Sequence, residues 1–440
     1  MATIKQPWAI LLCKFNSDFT GKANTNAEPP NAPGVVPLRT ACENFFTKTN
    51  AGYNAVRYFS DMSHQTVDIS DSRVFGWYTI GVNITDYTPA GDPKLDKTQG
   101  EVVDLAKQAA INAGVNLNSF FGIVVIMNIA TGWAQGWPGH VAADWRRVDG
   151  RNMNGTLGNR SAGGGNGVEV FGQEMGHGWG LDHSRHLGSN ADYQDKYDIM
   201  STLNAFSSAD ADYCAKGPGL NAWNMRSRGW LDESRVWQCP NGYFFDVIQL
   251  RPLHRTDLPG YLAAEVPPVN STDGFPAYLV EYRKKERWDI GFPSSCVLIH
   301  SYQGHINQQL GGHTYLMNGT NGQTNLLAGD SFAPTLFGGS HVHVIDIDDA
   351  NSTATILITK TEFRFPATFD PGWWITTRKG LVAPGPPPPW LQHYLAVSTL
   401  LETASNVSAE LRTSVLKIAM QQISLITKDI KKEIKNDKNK

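Results

Sequence analysis

The 440-residue chain has no long apolar run, few cysteines and almost no net charge. No uninterrupted apolar stretch approaches the roughly 20 residues that a bilayer-spanning helix needs. The segment Met1 to Pro7 lacks a basic region followed by an apolar core. Neither a transmembrane segment nor a recognisable signal peptide is therefore expected, and the expected protein is soluble, either cytoplasmic or exported by a non-standard route. The five cysteines, Cys13, Cys42, Cys214, Cys239 and Cys296, are scattered and contain no C-x-x-C spacing. That pattern excludes a zinc knuckle or a dense disulfide frame. Cys13 and Cys296 lie in apolar, strand-like runs and read as inert core thiols. Lys and Arg total 38 against 41 Asp and Glu, a formal charge of -3, and the globular part has no long basic stretch. Nucleic acid is excluded as a partner on that basis, and a peptide or protein substrate fits better. Sequons at Asn83, Asn154 and Asn318 carry no weight without an export signal.

Against these absences stands one dense run, Phe171-Gly-Gln-Glu-Met-Gly-His-Gly-Trp-Gly-Leu-Asp-His183. On a helix, Gln173 and His177 are four apart and share a face with Glu174 beside them, while Val168, Phe171 and Met175 fall on the opposite apolar face. Gly178 and Gly180 permit the helix to stop and the chain to turn, which brings His183 back toward His177. The layout resembles the extended zinc-peptidase motif H-E-x-x-H-x-x-G-x-x-H, with Gln173 in place of the first histidine. Downstream, Asp198-Ile199-Met200-Ser201 is similar to the methionine-containing turn of metzincins. Thr202 stands where many metzincins have a tyrosine, for which Tyr193 and Tyr197 are the nearby substitutes. Upstream, the segment from Tyr58 to Gly76-Trp77-Tyr78 resembles the region before the catalytic helix in immune-inhibitor-A-like and gametolysin-like peptidases.

This resemblance implies one zinc ion, weakly bound, with His177 and His183 as ligands and Gln173 as a poor third, because a carboxamide oxygen is an unusual zinc donor. It implies Glu174 as the general base toward a metal-activated water and later as proton donor to the leaving amine. Met200 would lie beneath the site, and Asp182 would make a supporting hydrogen bond. The implied activity is that of a zinc-dependent endopeptidase. The alternative is a catalytically inactive pseudopeptidase that binds a protein or glycan, and Gln173 is the residue that keeps it open.

The expected fold class is an α/β (α+β) metzincin-like catalytic domain, a β-sandwich-like domain and a helical C-terminal tail. Residues 1–235 form the first, 236–365 the second, 366–390 a Pro-rich linker and 391–440 the tail with its basic end. In the first domain a strand is expected over Trp8–Phe15, a helix over Leu38–Thr47, half-buried strands from Tyr58 to Ile80, a helix over Val102–Ala113 and a buried strand over Gly122–Asn128. The Gly-, Trp- and Arg-rich stretch from Thr131 to Gly167 reads as a cleft rim or a surface loop, with Asn166 as N-cap of the motif helix. A last helix is expected around Gly219–Met225. Short alternating strands follow: Tyr261–Val266, Tyr278–Tyr282, Cys296–His300, His341–Ile345 and Ala354–Ile358. His341 and His343 share a strand face, a spacing that permits a metal pair but is more often solvent-facing. Asp346, Asp348 and Asp349 read as a strand-end turn. His64 reads as structural or solvated. In the tail, Leu416, Met420, Ile423, Ile426 and Ile430 make a one-sided stripe suited to docking.

Overall fold

The computed structural model describes residues 3–18, 20–25, 37–50, 52–86, 95–129, 131, 134–148, 167–202, 204–210, 213–241, 244–267, 275–304, 311–333 and 339–361. In the tail it describes 412–413, 416–417, 419–420 and 423–424. The Pro-rich segment, residues 149–166 with Asn166, and Ile426 and Ile430 lie outside the described residues. The protein is a mixed α/β fold with several sheets and few helices, and the chain divides into two compact units.

Unit 1 comprises Met1–Glu233 with two later segments, Lys285–Ser294 and Tyr302–Leu316. Its strands β1 (Ile4–Lys5), β2 (Trp8–Lys14), β3 (Val67–Asp68), β4 (Arg73–Thr79), β5 (Gly122–Met127), β6 (Ala134–Trp137) and β7 (His140–Asp144) precede the motif helix. A five-stranded sheet runs in the order β4-β2-β5-β7-β6; the first four are mutually parallel and β6 pairs antiparallel with β7 at the edge. β5, and β2 up to its last residue Lys14, are apolar because both faces of a parallel sheet are covered. On one face, Ala9, Leu11 and Cys13 of β2 meet Val102, Val103, Ala106 and Ala110 of a helix. That helix spans Leu95–Asn112 and ends before Gly114, which takes the left-handed conformation at φ 85°.

The helices before it are α1 (Leu38–Phe46) and α2 (Ala55–Met62), so the Leu95–Asn112 helix is α3. α2 corrects the strand expected from Tyr58 onward. Asn54 caps it by accepting the Arg57 N–H at 3.0 Å, and Ala55, Val56, Tyr58, Phe59 and Met62 are buried at helical spacing. The polar residues between them mimic strand alternation, but the cap and the burial stripe decide for a helix. His64 lies in the turn after α2 at φ 48°.

The motif helix is α4 (Val168–Gly178), and every residue of it is buried. Its N-cap position is Gly167 at φ 59°, with no side-chain cap. The ring of Phe171 meets Phe45 and Phe46 of α1 at 5.4 and 5.0 Å. At its far end, Gly178 lies against the Trp8 ring, where a Cβ would collide. Short strands β8 (Arg185–His186), β9 (Ser208–Asp210) and β10 (Cys214–Lys216) and helix α5 (Ala222–Ser227) follow. The two later segments return to this unit through specific bonds. Trp288 donates its indole N–H to Asp61 at 2.8 Å, Asp289 accepts the Gly219 N–H at 2.9 Å, and a strand over His313–Leu316 pairs parallel with β8.

Unit 2 holds β11 (Val236–Gln238), β12 (Phe244–Leu250), β13 (Ala263–Val266), β14 (Tyr278–Arg283) and, as far as Ser301, β15 (Cys296–Gln303), so the His313–Leu316 strand of unit 1 is β16. β17 (Ser331–Phe332), β18 (Gly339–Asp348) and β19 (Thr353–Thr361) complete it. One sheet has the antiparallel order β12-β19-β18-β17. β13, β14 and β15 pair antiparallel, with β11 parallel to β13. The turn between β18 and β19 is held by Asp348, which accepts the Asn351 backbone N–H at 3.0 Å and its side-chain amide at 2.7 Å. In the tail the described residues are helical; Leu416, Met420 and Ile423 are exposed and Ala419 is buried, so the apolar stripe expected to dock faces outward at these positions. Among the described residues, no helix is long and apolar enough to cross a membrane.

Burial of His341 and His343, the pair expected on a solvent face, lowers their pKa to about 4 and about 3, with the neighbouring His341 adding to the shift of His343. The unfolded chain protonates near pH 6.5 while the folded chain refuses the proton. Their stabilising contribution is therefore complete above that pH and lost as pH falls toward 4. In metal-free protein at pH 5 the loss is on the order of 1–2 kcal/mol per histidine. Urea midpoints measured from pH 7 to 5 are expected to fall less in a His341→Gln/His343→Gln chain than in the parent.

Candidate metal and catalytic site

The end of α4 turns back on itself. Trp179 and Gly180 donate N–H bonds to the last helical carbonyls, Gly180 takes φ 83°, and Leu181 donates its N–H to the Gly176 carbonyl at 3.0 Å. This reversal sets the Leu181 carbonyl 2.8 Å from His177 Nδ1. His183, delivered by the same turn, places its Nδ1 3.2 Å from Asp192. The Asp192 carboxylate is held in turn by Arg185 at 2.9 Å. A carbonyl and a carboxylate can only accept, so both Nδ1 atoms carry the protons. Both Nε2 atoms are then left to present lone pairs to one another, and they lie 3.0 Å apart.

Two lone pairs at that distance repel unless a proton or a cation is shared between them. Burial and the adjacent His183 push the pKa of His177 down to about 3, which disfavours a shared proton at neutral pH. The pair therefore suits a cation that accepts imidazole nitrogen, and the outer partners of both rings are the kind that fix ligand tautomers. Among the described residues, no group of three or more His, Cys, Asp or Glu side chains is placed to hold a metal ion.

Gln173 faces elsewhere in part. Its oxygen accepts the Thr202 N–H at 3.0 Å, and its side chain also hydrogen-bonds Glu174. Glu174 takes a further bond from the backbone of Gly136 on the edge strand β6. Gly136 is required there, since a Cβ would run into the Glu174 carbonyl. Burial is the dominant influence on Glu174 and raises its pKa to about 7, against the smaller downward pull of its hydrogen bonds and of Arg147.

Met200 is fully buried in a short 3-10 turn, Ile199–Ser201. It lies against α4 one residue before His177: a Cβ on Gly176 would be 2.7 Å from the Met200 sulfur. Gly176→Ala is expected to cost about 1–3 kcal/mol by overpacking this contact, read as a lowered urea midpoint. The turn is anchored by Asp198, whose carboxylate accepts Met200 N–H at 2.7 Å, Asn221 N–H at 2.6 Å and the Asn224 amide at 3.1 Å.

Tyr193, in the left-handed region at φ 62°, sets its ring 4.2 Å from that of His183. Its pKa is raised to about 12 by burial first, then by the charges of Glu174, Asp192 and Asp182. Tyr197 instead packs against Phe206 and Phe292 in the core. Asp182 accepts the His183 backbone N–H at 2.8 Å.

Two residues here are not singled out by motif spacing. Asp192 orients His183, and His313, 130 positions away, places Nδ1 2.8 Å from the His183 carbonyl and Nε2 3.4 Å from Asp182. His313 thus meets the His183 carbonyl with one ring nitrogen and the Asp182 carboxylate with the other. The one signal for it is the β16 strand, whose parallel pairing with β8 cannot be read from local sequence. No protein-family model matches the chain, and comparisons with curated proteins and with solved structures likewise give no match.

Proposed function

We propose that this chain is a zinc-dependent endopeptidase acting on peptide or protein substrates, with unit 1 a metzincin-like catalytic domain and unit 2 a β-sandwich-like domain. The observation that carries the reading is the pair of Nε2 atoms, 3.0 Å apart, with the buried Glu174 three residues before His177 on α4. His177 and His183 hold the ion through these nitrogens, and Gln173, whose oxygen already accepts the Thr202 N–H, is the weak third donor. Zinc, when bound, supplies Lewis-acid chemistry: it acidifies water and stabilises negative charge on a carbonyl oxygen.

Glu174 does the proton work. A carboxylate held near pKa 7 is ionised often enough to accept a proton and acidic enough to return it to a leaving amine. Gln173 and the Gly136 backbone hold that carboxylate in place, and β6 offers the sheet edge along which an extended peptide would lie. Met200 and the Asp198 network fix the floor under His177.

The second reading is a pseudopeptidase that binds without cutting, and the engagement of Gln173 by Thr202 favours it. Gln173→His separates the two. For an enzyme with a weakened site, zinc affinity and cleavage of a quenched fluorescent peptide library both rise. A gain in neither sinks the zinc-peptidase reading.

A further inference from the structure

We propose that His341 and His343 of β18 form a second, independent site in unit 2 that binds a divalent transition-metal ion through their two imidazoles. Residues two apart on a strand share a face, so both rings stand on the same side of the β12-β19-β18-β17 sheet. In the ladder, His341 is opposite Thr359 of β19 and His343 is opposite Ser331 of β17. Directly opposed residues on one face bring their side chains together.

This face holds an unusual concentration of unmet polar groups. His341 is 7% exposed and His343 1%. Among the described residues, His341 Nδ1, His343 Nε2, Thr359 Oγ1 and Thr320 Oγ1 are all buried without a hydrogen-bond partner. Thr320 belongs to the same corner, since its backbone N–H donates to the Ser331 carbonyl at 2.8 Å. A single buried polar group left unpaired is costly, and four together call for a ligand that satisfies them.

The chemistry of the donors selects its class. Ser331 Oγ lies 2.7 Å from His343 Nδ1, and in the tautomer whose Nδ1–H donates to that hydroxyl the Nε2 lone pair is the one offered. Burial keeps both imidazoles neutral at physiological pH, so they present lone pairs and no charge that would attract an anion. The ring centroids are 6.3 Å apart, within the span of about 5–6.5 Å reached by two imidazoles bound to one ion with metal–nitrogen bonds near 2 Å. Two neutral imidazoles with hydroxyl oxygens alongside suit the zinc, copper and nickel group, not calcium or magnesium.

The test uses the full chain carrying His177→Ala and His183→Ala, which makes its outcome independent of the zinc-peptidase reading. Copper(II) is added at neutral pH, during refolding from urea as well as to folded protein, and followed by electron paramagnetic resonance and metal analysis. One bound copper with nitrogen hyperfine coupling from two imidazoles is expected. Adding either His341→Gln or His343→Gln, each checked for folding by circular dichroism, should weaken binding at least tenfold. Copper-dependent elevation of the melting temperature should vanish with it. No copper bound by the His177→Ala/His183→Ala chain, or equal binding after both strand histidines are replaced, overturns the proposal. If the double replacement fails to fold, unchanged copper affinity in the single His341→Gln chain overturns it equally.

Discussion

Replacing Glu174 by glutamine is expected to lower kcat/KM for peptide hydrolysis by about 10²–10⁴-fold, the usual worth of a positioned general acid–base group. Zinc content should hardly change, because the His177 and His183 nitrogens that face each other are untouched. Activity of the parent protein should rise with pH as Glu174 ionises, since only the ionised form accepts a proton. Burial raises the Glu174 pKa to about 7 in the metal-free chain, with an opposite consequence for stability. In the metal-free chain Glu174 is protonated more readily when folded than when unfolded, so its contribution is full below about 4.5 and is lost as pH rises through about 7. Glu174→Gln should therefore be more stable than the parent at pH 8, by roughly 1–3 kcal/mol, and close to it at pH 5. A chain that loses zinc along with activity would assign Glu174 to the metal and not to proton transfer.

Asp198→Ala is expected to cost about 3–6 kcal/mol, enough to leave many domains unfolded. Three buried N–H donors, from Met200, Asn221 and Asn224, converge on this one carboxylate, and alanine leaves all three without it. Asn221 and Asn224 also bond Thr314 and Ser184 in the same buried network. The effect should spread to the His177–His183 pair, because Ser201 donates its hydroxyl to the Ser184 carbonyl, next to His183. Asp198→Asn keeps one acceptor and should lose less. Urea denaturation of the three proteins measures the order; an Asp198→Ala chain within about 1 kcal/mol of the parent would show that the network relaxes freely.

What the sequence discloses about this site is local. Helical spacing puts Gln173, Glu174 and His177 on α4, and Gly180 supplies the left-handed turn that returns His183. The strands around β2, β5, β14 and β15 follow from their apolar runs for the same reason: period and composition act within a few residues. α2 escapes such a reading because Ser60, Asp61 and Ser63 between apolar residues imitate alternation, although Asn54 carries a cap signal. His313 and Asp192 are illegible because their roles depend on contacts set by tertiary packing, one of them across 130 residues. Gln173 poses a related difficulty. Its type suggests a poor ligand, but its ties to Glu174 and to the Thr202 N–H, which the turn after Met200 brings to its oxygen, depend on tertiary packing. The burial of His341 and His343 likewise comes from what covers the sheet, which strand alternation cannot specify.

The most direct test of a metal held between His177 and His183 is zinc analysis by inductively coupled plasma mass spectrometry. Parent and His177→Ala proteins, purified without a histidine tag and incubated with excess zinc before desalting, are compared for zinc per chain. The parent is expected to retain about one zinc more per chain than the variant, with both folded by circular dichroism. Equal zinc in the two proteins would contradict it.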